Sequence, residues 1–264
     1  MKFLHNGYGI EIDTKSLELF KLYNELKNLY NKIPKTKCLN CPGKSMVEAD
    51  CCKVFSPPML LIEFLNIIKA IEDNPEEEKK DLYFRCFKSY LNPAYEKKCV
   101  LLNDKDQCTI YNARPFACRM FGLYEEKEWE DRLKSISLET GVDQEKMPFA
   151  KQCDRVEIKK KKVKVKNITK GTSDHIFKLI HYLDINIFPE NLAKESAGIV
   201  MGSYTYLPFD THYLLMQIGQ EKLDNLATIK DMSRKLKKKD ALLFAKNQKE
   251  INDFLEIIKK EIFK

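Results

Sequence analysis

"MLLIEFLNIIKAI", residues 59–71, is the most apolar run of the chain, and its reading decides the fold. Glu63, Asn66 and Lys69 interrupt it, and it falls short of the ~20 apolar residues that a membrane-spanning helix needs. A short segment that is apolar almost all round belongs at the centre of a packed protein. The sequence therefore predicts a buried helix over 57–72, opened by Ser56 and Pro57.

Outward from this run the periodicity is mostly helical. Leu19, Leu22, Tyr23, Leu26, Tyr30 and Ile33 share one face of a predicted helix over 14–33, with Asp13 as N-cap and Pro34 as the stop. Asn74-Pro75, followed by Glu76, Glu77 and Glu78 in the first turn, opens a helix over 75–91. Pro115 suits the start of a short helix ending at Gly122, and Trp129, Leu133 and Ile136 lie on one face of a helix over 125–140. Further helices are expected near 174–187, 190–202, 209–236 and 240–262. Strand signals are few. "KKCVLLNDKDQCTIYNARP" reads as two short strands about an Asn-Asp-Lys-Asp turn, and "RVEIKKKKVKVKNI" as a lysine-tipped hairpin.

With 264 residues, 44% hydrophobic and 32% charged, the chain can bury a core without help from disulfides or metal. The N-terminal MKFLHNGYGIEID has no apolar stretch of signal-peptide length, so a cytoplasmic protein is expected, with no membrane as partner. The net charge of +7 sits on a background of 39 acidic residues. No aromatic residues interleave Lys159–Lys162, and lysines on an edge strand discourage aggregation, so nucleic acid is not expected as a partner.

Nine cysteines then stand out, all between 38 and 153. In a reducing compartment such thiols read as metal ligands or redox groups before disulfides. Cys86 has Leu82, Tyr83 and Tyr90 at helical offsets and reads as core. The other eight are the candidate metal ligands: Cys38, Cys41, Cys51, Cys52, Cys99, Cys108, Cys118 and Cys153. Cys38 and Cys41 form a C-x-x-C pair in a Pro/Gly-containing loop, a spacing at which two thiolates reach one metal. Adjacent side chains diverge, so Cys51 and Cys52 would serve two sites, or one site and its surroundings. Two four-ligand sites, or one site with spare thiols, remain open. Four thiolates around Zn²⁺ or an oxidised 4Fe-4S core leave a net charge near −2. Arg114 and Arg119, flanking Pro115 in "RPFACR", could offset that charge and donate to the sulfurs, so both are candidate cofactor-binding residues.

The ordered set "CLNC", "CC", "CVLL", "CTIY" and "RPFACR" resembles the YkgJ-type cysteine-cluster (CxxCxxCC) family, described as a zinc- or iron-chelating domain. The resemblance covers roughly residues 36–155, and Cys153 is similar to the family's last cysteine. It implies metal chelation and leaves the metal open. This chain departs from the C-x-x-C-x-x-C-C spacing by placing residues 42–50 between Cys41 and the Cys51-Cys52 pair. The same cysteine pattern occurs in flagellin lysine-N-methylases, which the resemblance links to an iron–sulfur cluster and S-adenosylmethionine.

The expected fold is thus mainly α with small β elements: a cysteine-rich metal-binding domain at 1–155 and a helical region at 156–264, separate or packed with it as one unit. The expected function is a cytosolic protein holding an iron–sulfur cluster or zinc through cysteine thiolates, for electron transfer, metal handling or scaffolding. Its partner would be a metal ion or cluster, with a protein partner left open. The alternative is an S-adenosylmethionine-using, metal-dependent lysine N-methylase-like enzyme; a third reading is a disulfide-stapled protein. No nucleotide-binding glycine loop follows a predicted strand, and His5, His175, His181 and His212 are scattered. No catalytic residue can be named, and whether the protein is an enzyme stays open.

Overall fold

The computed structural model of the chain describes residues 2–5, 10–13, 16–34, 36–38, 52, 56–92, 98–140, 143–146, 156–158, 170–187, 206–239 and 241–262. The expected helix near 190–202 lies outside them. The described residues are mainly helical: α1 Leu17–Lys32, α2 Leu61–Ile71, α3 Glu76–Leu91, α4 Phe116–Met120, α5 Glu126–Thr140, α6 Lys170–Ile185, α7 Phe209–Ile218, α8 Gln220–Lys239 and α9 Ala241–Ile262. Three two-stranded antiparallel sheets complete them, pairing β1 Lys2–His5 with β2 Ile10–Asp13, β3 Thr36–Cys38 with β5 Val156–Ile158, and β4 Pro58–Met59 with β6 Leu207–Pro208. No described helix is long and apolar enough to cross a membrane.

The apolar run forms α2, whose first two turns are almost wholly buried: Leu61, Ile62, Phe64, Leu65 and Ile67 are all fully enclosed, and exposure begins at Lys69. Helices α1, α6 and α7 pack around it, with the 3-10 turn Tyr111–Ala113. Phe64 meets Phe209 at 5.4 Å and stacks on His212 at 4.9 Å between ring centroids. Each such side chain stabilises the fold by about 1.5–3 kcal/mol relative to exposure, which makes α2 the axis of the core.

Its start differs from expectation. Pro58 restricts Pro57 to extended backbone, and Pro58–Met59 pairs with Leu207–Pro208 as a strand, so the helix begins only at Leu61. The N-cap, Leu60, has no side-chain oxygen to satisfy the first N–H groups, and it is itself buried. Acceptors come from elsewhere: Asp184 on α6 takes the Ile62 N–H at 2.6 Å, and the Glu63 side chain reaches back to the Leu60 N–H at 3.0 Å.

Several other boundaries are corrected by local chemistry. Ser16 rather than Asp13 caps α1, its hydroxyl accepting the Leu19 N–H at 3.2 Å. The single helix expected over 209–236 is two, α7 and α8, broken at Gly219 with φ 77° and ψ 171°. Val156–Ile158 pairs with β3; the rest of the lysine-tipped hairpin expected there, 159–168, lies outside the described residues. The two strands expected about Asn103–Asp106 reduce to one bridge, Leu102 to Cys108.

One hydrophobic core contains residues from both sides of position 155, running from Ile12 through α2 and α3 to Leu255 on α9. Helix α1 packs on α6, and α3 packs on α7, α8 and α9.

The backbone at Gly219 lies where only glycine is comfortable, with nothing within 4 Å of an added Cβ. Gly219→Ala is therefore expected to destabilise the fold by about 1–3 kcal/mol through backbone strain alone. Gly171→Ala in α6, also with open space, should leave stability within about 1 kcal/mol of the parent. Urea denaturation of the two variants checks the contrast.

Candidate metal centre

The candidate site is built outward from α2. Glu63, one turn into that helix, is fully buried, and three donors converge on its carboxyl group. Tyr30 Oη donates to Oε1 at 2.6 Å, the Phe116 N–H to Oε1 at 2.5 Å and the Leu60 N–H to Oε2 at 3.0 Å. These donors favour the anion, yet burial outweighs them and holds the Glu63 carboxyl above its usual range. The same burial, followed by the Glu63 charge, pushes the Tyr30 phenol well above its usual value.

Phe116 opens α4, the short helix that carries Cys118 and Arg119, so Glu63 fixes where "RPFACR" starts. Pro115 is the N-cap of α4, and the last helical residue is Met120. Arg119 folds back over Tyr30, its guanidinium 4.1 Å from the ring centroid. Its Nε donates to the Arg114 carbonyl and its Nη2 to the Asn112 carbonyl, each at 2.6 Å. Burial lowers its pKa, partly opposed by the neighbouring Tyr30, Cys118 and Glu63. Arg114 lies 3.7 Å over the Tyr111 ring and donates through Nε to the Tyr111 carbonyl at 3.0 Å. Both arginines thus brace the 111–119 backbone, and the Arg119 charge sits beside the Cys118 thiol.

A second arm carries Cys99 and Cys108. The Asn103 carboxamide oxygen accepts the N–H groups of Lys105 and Gln107 at 3.0 and 2.9 Å, closing a turn whose Asp106 has φ 58°. The Thr109 N–H then bonds the Leu101 carbonyl at 3.0 Å, so the two arms run back to back. Arg85 on α3 clamps them from below. Its Nη1 donates to the carbonyls of Val100 and, at 2.8 Å, Leu102, while Nε pairs with Asp81 at 2.7 Å.

Cys52 joins this arm through its backbone, its carbonyl accepting the Cys99 N–H at 2.7 Å. Cys86 and Cys99 are free thiols. Burial, with Cys108 among the neighbours, pushes Cys99 up to about 12. Cys86 is fully enclosed as its helical offsets predict, and its thiol is held well above its usual value by burial and then by Asp210. Asp210, itself buried, is anchored by the Ser89 hydroxyl at 2.6 Å.

Cys38 ends β3, in register with Val156. Its side chain and all of Cys41, Cys51 and Cys153 lie outside the described residues. Among the described residues no three His, Cys, Asp or Glu side chains converge on a single point. What the structure does bring together is the Cys52 backbone, Cys99 and Cys108, with Cys118 on α4 in the layer of Tyr30, Glu63 and Arg119. Cys52, Cys99, Cys108 and Cys118 are half-buried, where a thiolate is costly without a nearby positive charge. A thiophilic cation that compensates their charge suits this donor set, and zinc and iron both qualify. Sequence reasoning passed over Glu63, Asp184, Arg85 and Asp210. The only signal for Glu63 was a carboxylate inside a mostly apolar run.

Glu63→Ala leaves three buried donors without an acceptor and is expected to lower stability by about 3 kcal/mol or more. Glu63→Gln keeps one oxygen for Tyr30 and Phe116 but turns an amide toward the Leu60 N–H, a smaller loss. Because the folded carboxyl binds its proton more tightly than the unfolded one, its contribution is fully present at low pH. That contribution falls as pH rises from the ordinary glutamate range through the raised value. Denaturant titrations across this window should show a flatter pH dependence in Glu63→Gln than in the parent; equal slopes would contradict the assignment.

The family comparison meets this geometry at both ends. The matched segment begins at Lys37 in β3 and stops two residues before β5, the strand that β3 pairs with. No curated protein and no solved structure matches the chain significantly. The model of the CxxCxxCC family, described as "Putative zinc- or iron-chelating domain", matches residues 37–154 of this chain.

Proposed function

We propose that the chain is a cytoplasmic protein that holds an iron–sulfur cluster or zinc through the thiolates of Cys38, Cys41, Cys51, Cys52, Cys99, Cys108, Cys118 and Cys153. Electron transfer, metal handling or scaffolding would follow from that site. The observation that carries the reading is the backbone lock between Cys52 and Cys99, on an arm that Arg85 clamps and that also bears Cys108. Two cysteines distant in sequence are thereby held together through their backbones.

Two further features support it. The pairing of β3 with β5 closes the 37–154 domain on itself: Cys38 stands opposite Val156, and Cys153 is three positions earlier, at most ~11 Å of chain away. Arg119 keeps a permanent positive charge beside Cys118, which offsets part of the negative charge that thiolates bring to a metal. Arg114 would act with it, as a second cation on the same bend. A thiolate-bound iron–sulfur cluster would supply one-electron redox chemistry; zinc would supply a fixed tetrahedral centre. The chain's own residues would hold the ion, exclude water through α2 and α4, and balance charge. The free thiols of Cys86 and Cys99 fit a reducing compartment. A division into a 1–155 metal domain and a 156–264 helical region would then be functional, since the C-terminal helices contribute no cysteine.

Anaerobic purification followed by metal analysis and visible spectroscopy tests the proposal. Iron with thiolate charge-transfer absorption identifies a cluster, and colourless protein with zinc identifies a zinc site. Protein carrying neither metal overturns the reading. Cys99→Ser and Cys108→Ser should each lose metal, whereas Cys86→Ala should keep it and lose about 1–3 kcal/mol of stability as a core substitution. Arg85→Ala should lower metal retention while leaving helix content unchanged by circular dichroism.

A further inference from the structure

The α8–α9 hairpin extends past the hydrophobic core. On α8 the last hydrophobic residue packed against the core is Ile229, and on α9 the first is Ile251. Lys230 still touches the body, its ammonium 4.4 Å over the Tyr90 ring. From there α8 continues to Lys239, a rise of about 13 Å at helical pitch. Along this projecting part the two helices meet through polar groups: Ser233 donates to the Asn247 carboxamide, and Gln248 donates to Ser233 at 3.4 Å.

The tip has an unusual composition. Residues 234–246 read RKLKKKDALLFAK, six cations against the single anion Asp240. Lys235, Lys237 and Lys246 are exposed. So are two leucines in the first turn of α9, Leu242 at 86% and Leu243 at 47%. The α8 macrodipole accounts for cations at its C-terminus. It does not account for exposed apolar side chains placed among them.

We propose that this hairpin tip docks on an anionic membrane surface, with Leu242 and Leu243 entering the headgroup boundary and the surrounding lysines facing acidic lipid headgroups. Apolar residues ringed by cations are what an anionic interface selects, because shallow burial and charge attraction add. A nucleic acid would use the charge but not the leucines, and the tip has no exposed aromatic platform for stacking bases. This surface association departs from the expectation of no membrane partner, which came from the absence of an export signal and of a spanning segment. It does not depend on the metal reading, since the tip is remote in sequence from every cysteine.

The test is co-sedimentation of the full chain with phosphatidylcholine vesicles, with and without phosphatidylserine, at near-physiological salt. The chain should pellet with the serine-lipid vesicles and bind the neutral ones about tenfold more weakly or worse. Leu242→Ser/Leu243→Ser should weaken binding about tenfold, and Lys235→Glu/Lys237→Glu comparably. These substitutions lie beyond the core, and matching circular dichroism confirms intact folds. As a second measurement, Leu242→Trp should show a blue-shifted fluorescence maximum on adding the anionic vesicles. Failure to pellet, undiminished binding by the double-serine variant, an unshifted Leu242→Trp spectrum, or tighter binding to a polynucleotide than to vesicles would each overturn the proposal.

Discussion

Glu63 occupies the first turn of a mostly apolar helix, and its carboxyl collects donors from three separate parts of the chain. Tyr30 belongs to α1, Leu60 to the start of α2 itself, and Phe116 to the first turn of α4. A buried carboxyl group is costly unless hydrogen bonds offset its desolvation. Here the same bonds register three elements against one another, so the group that is expensive to bury is also the one that sets where α4 begins. Asp184 likewise accepts the Ile62 N–H of α2, from a helix 122 positions later in the chain.

That arrangement has a consequence for the cysteines. Cys118 and Arg119 follow Phe116 by two and three residues, so their position is set by the core rather than by the loop before them. Cys99 and Cys108 depend instead on Arg85, a core-helix side chain that reaches out to carbonyls of their turn. The two arms of the candidate centre are therefore anchored to α2 and α3, which both contribute buried residues to the core. A metal held between them would be coupled to global stability.

The helices beyond residue 155 complete this core. Asp184, Phe209 and His212 all close around α2, the last donating through Nε2 to the Met59 carbonyl at 3.0 Å. Among the described residues, the distal end of the α8–α9 hairpin lies beyond the last side chains packed on that core. There the sequence changes from apolar stripes to lysines and exposed leucines, and a surface role becomes the natural physical reading.

Much of this was legible in the residues themselves. Apolar periodicity gives the helices because a 3.6-residue repeat must place one stripe against a core, and Cys86 reads as core for the same reason. The eight remaining cysteines and the "RPFACR" bend point to chelation because thiol chemistry is local to the residue type. Other features depend on partners distant in sequence: the late start of α2, which Leu207–Pro208 sets by pairing with Pro58–Met59; the use of Val156–Ile158 as a partner for β3; and the roles of Glu63, Asp184 and Arg85. No window of sequence contains both members of such a pair. The apolar pattern settles which segments must be buried, whereas the hydrogen bonds that a buried polar group finds are chosen only once the chain has closed around it.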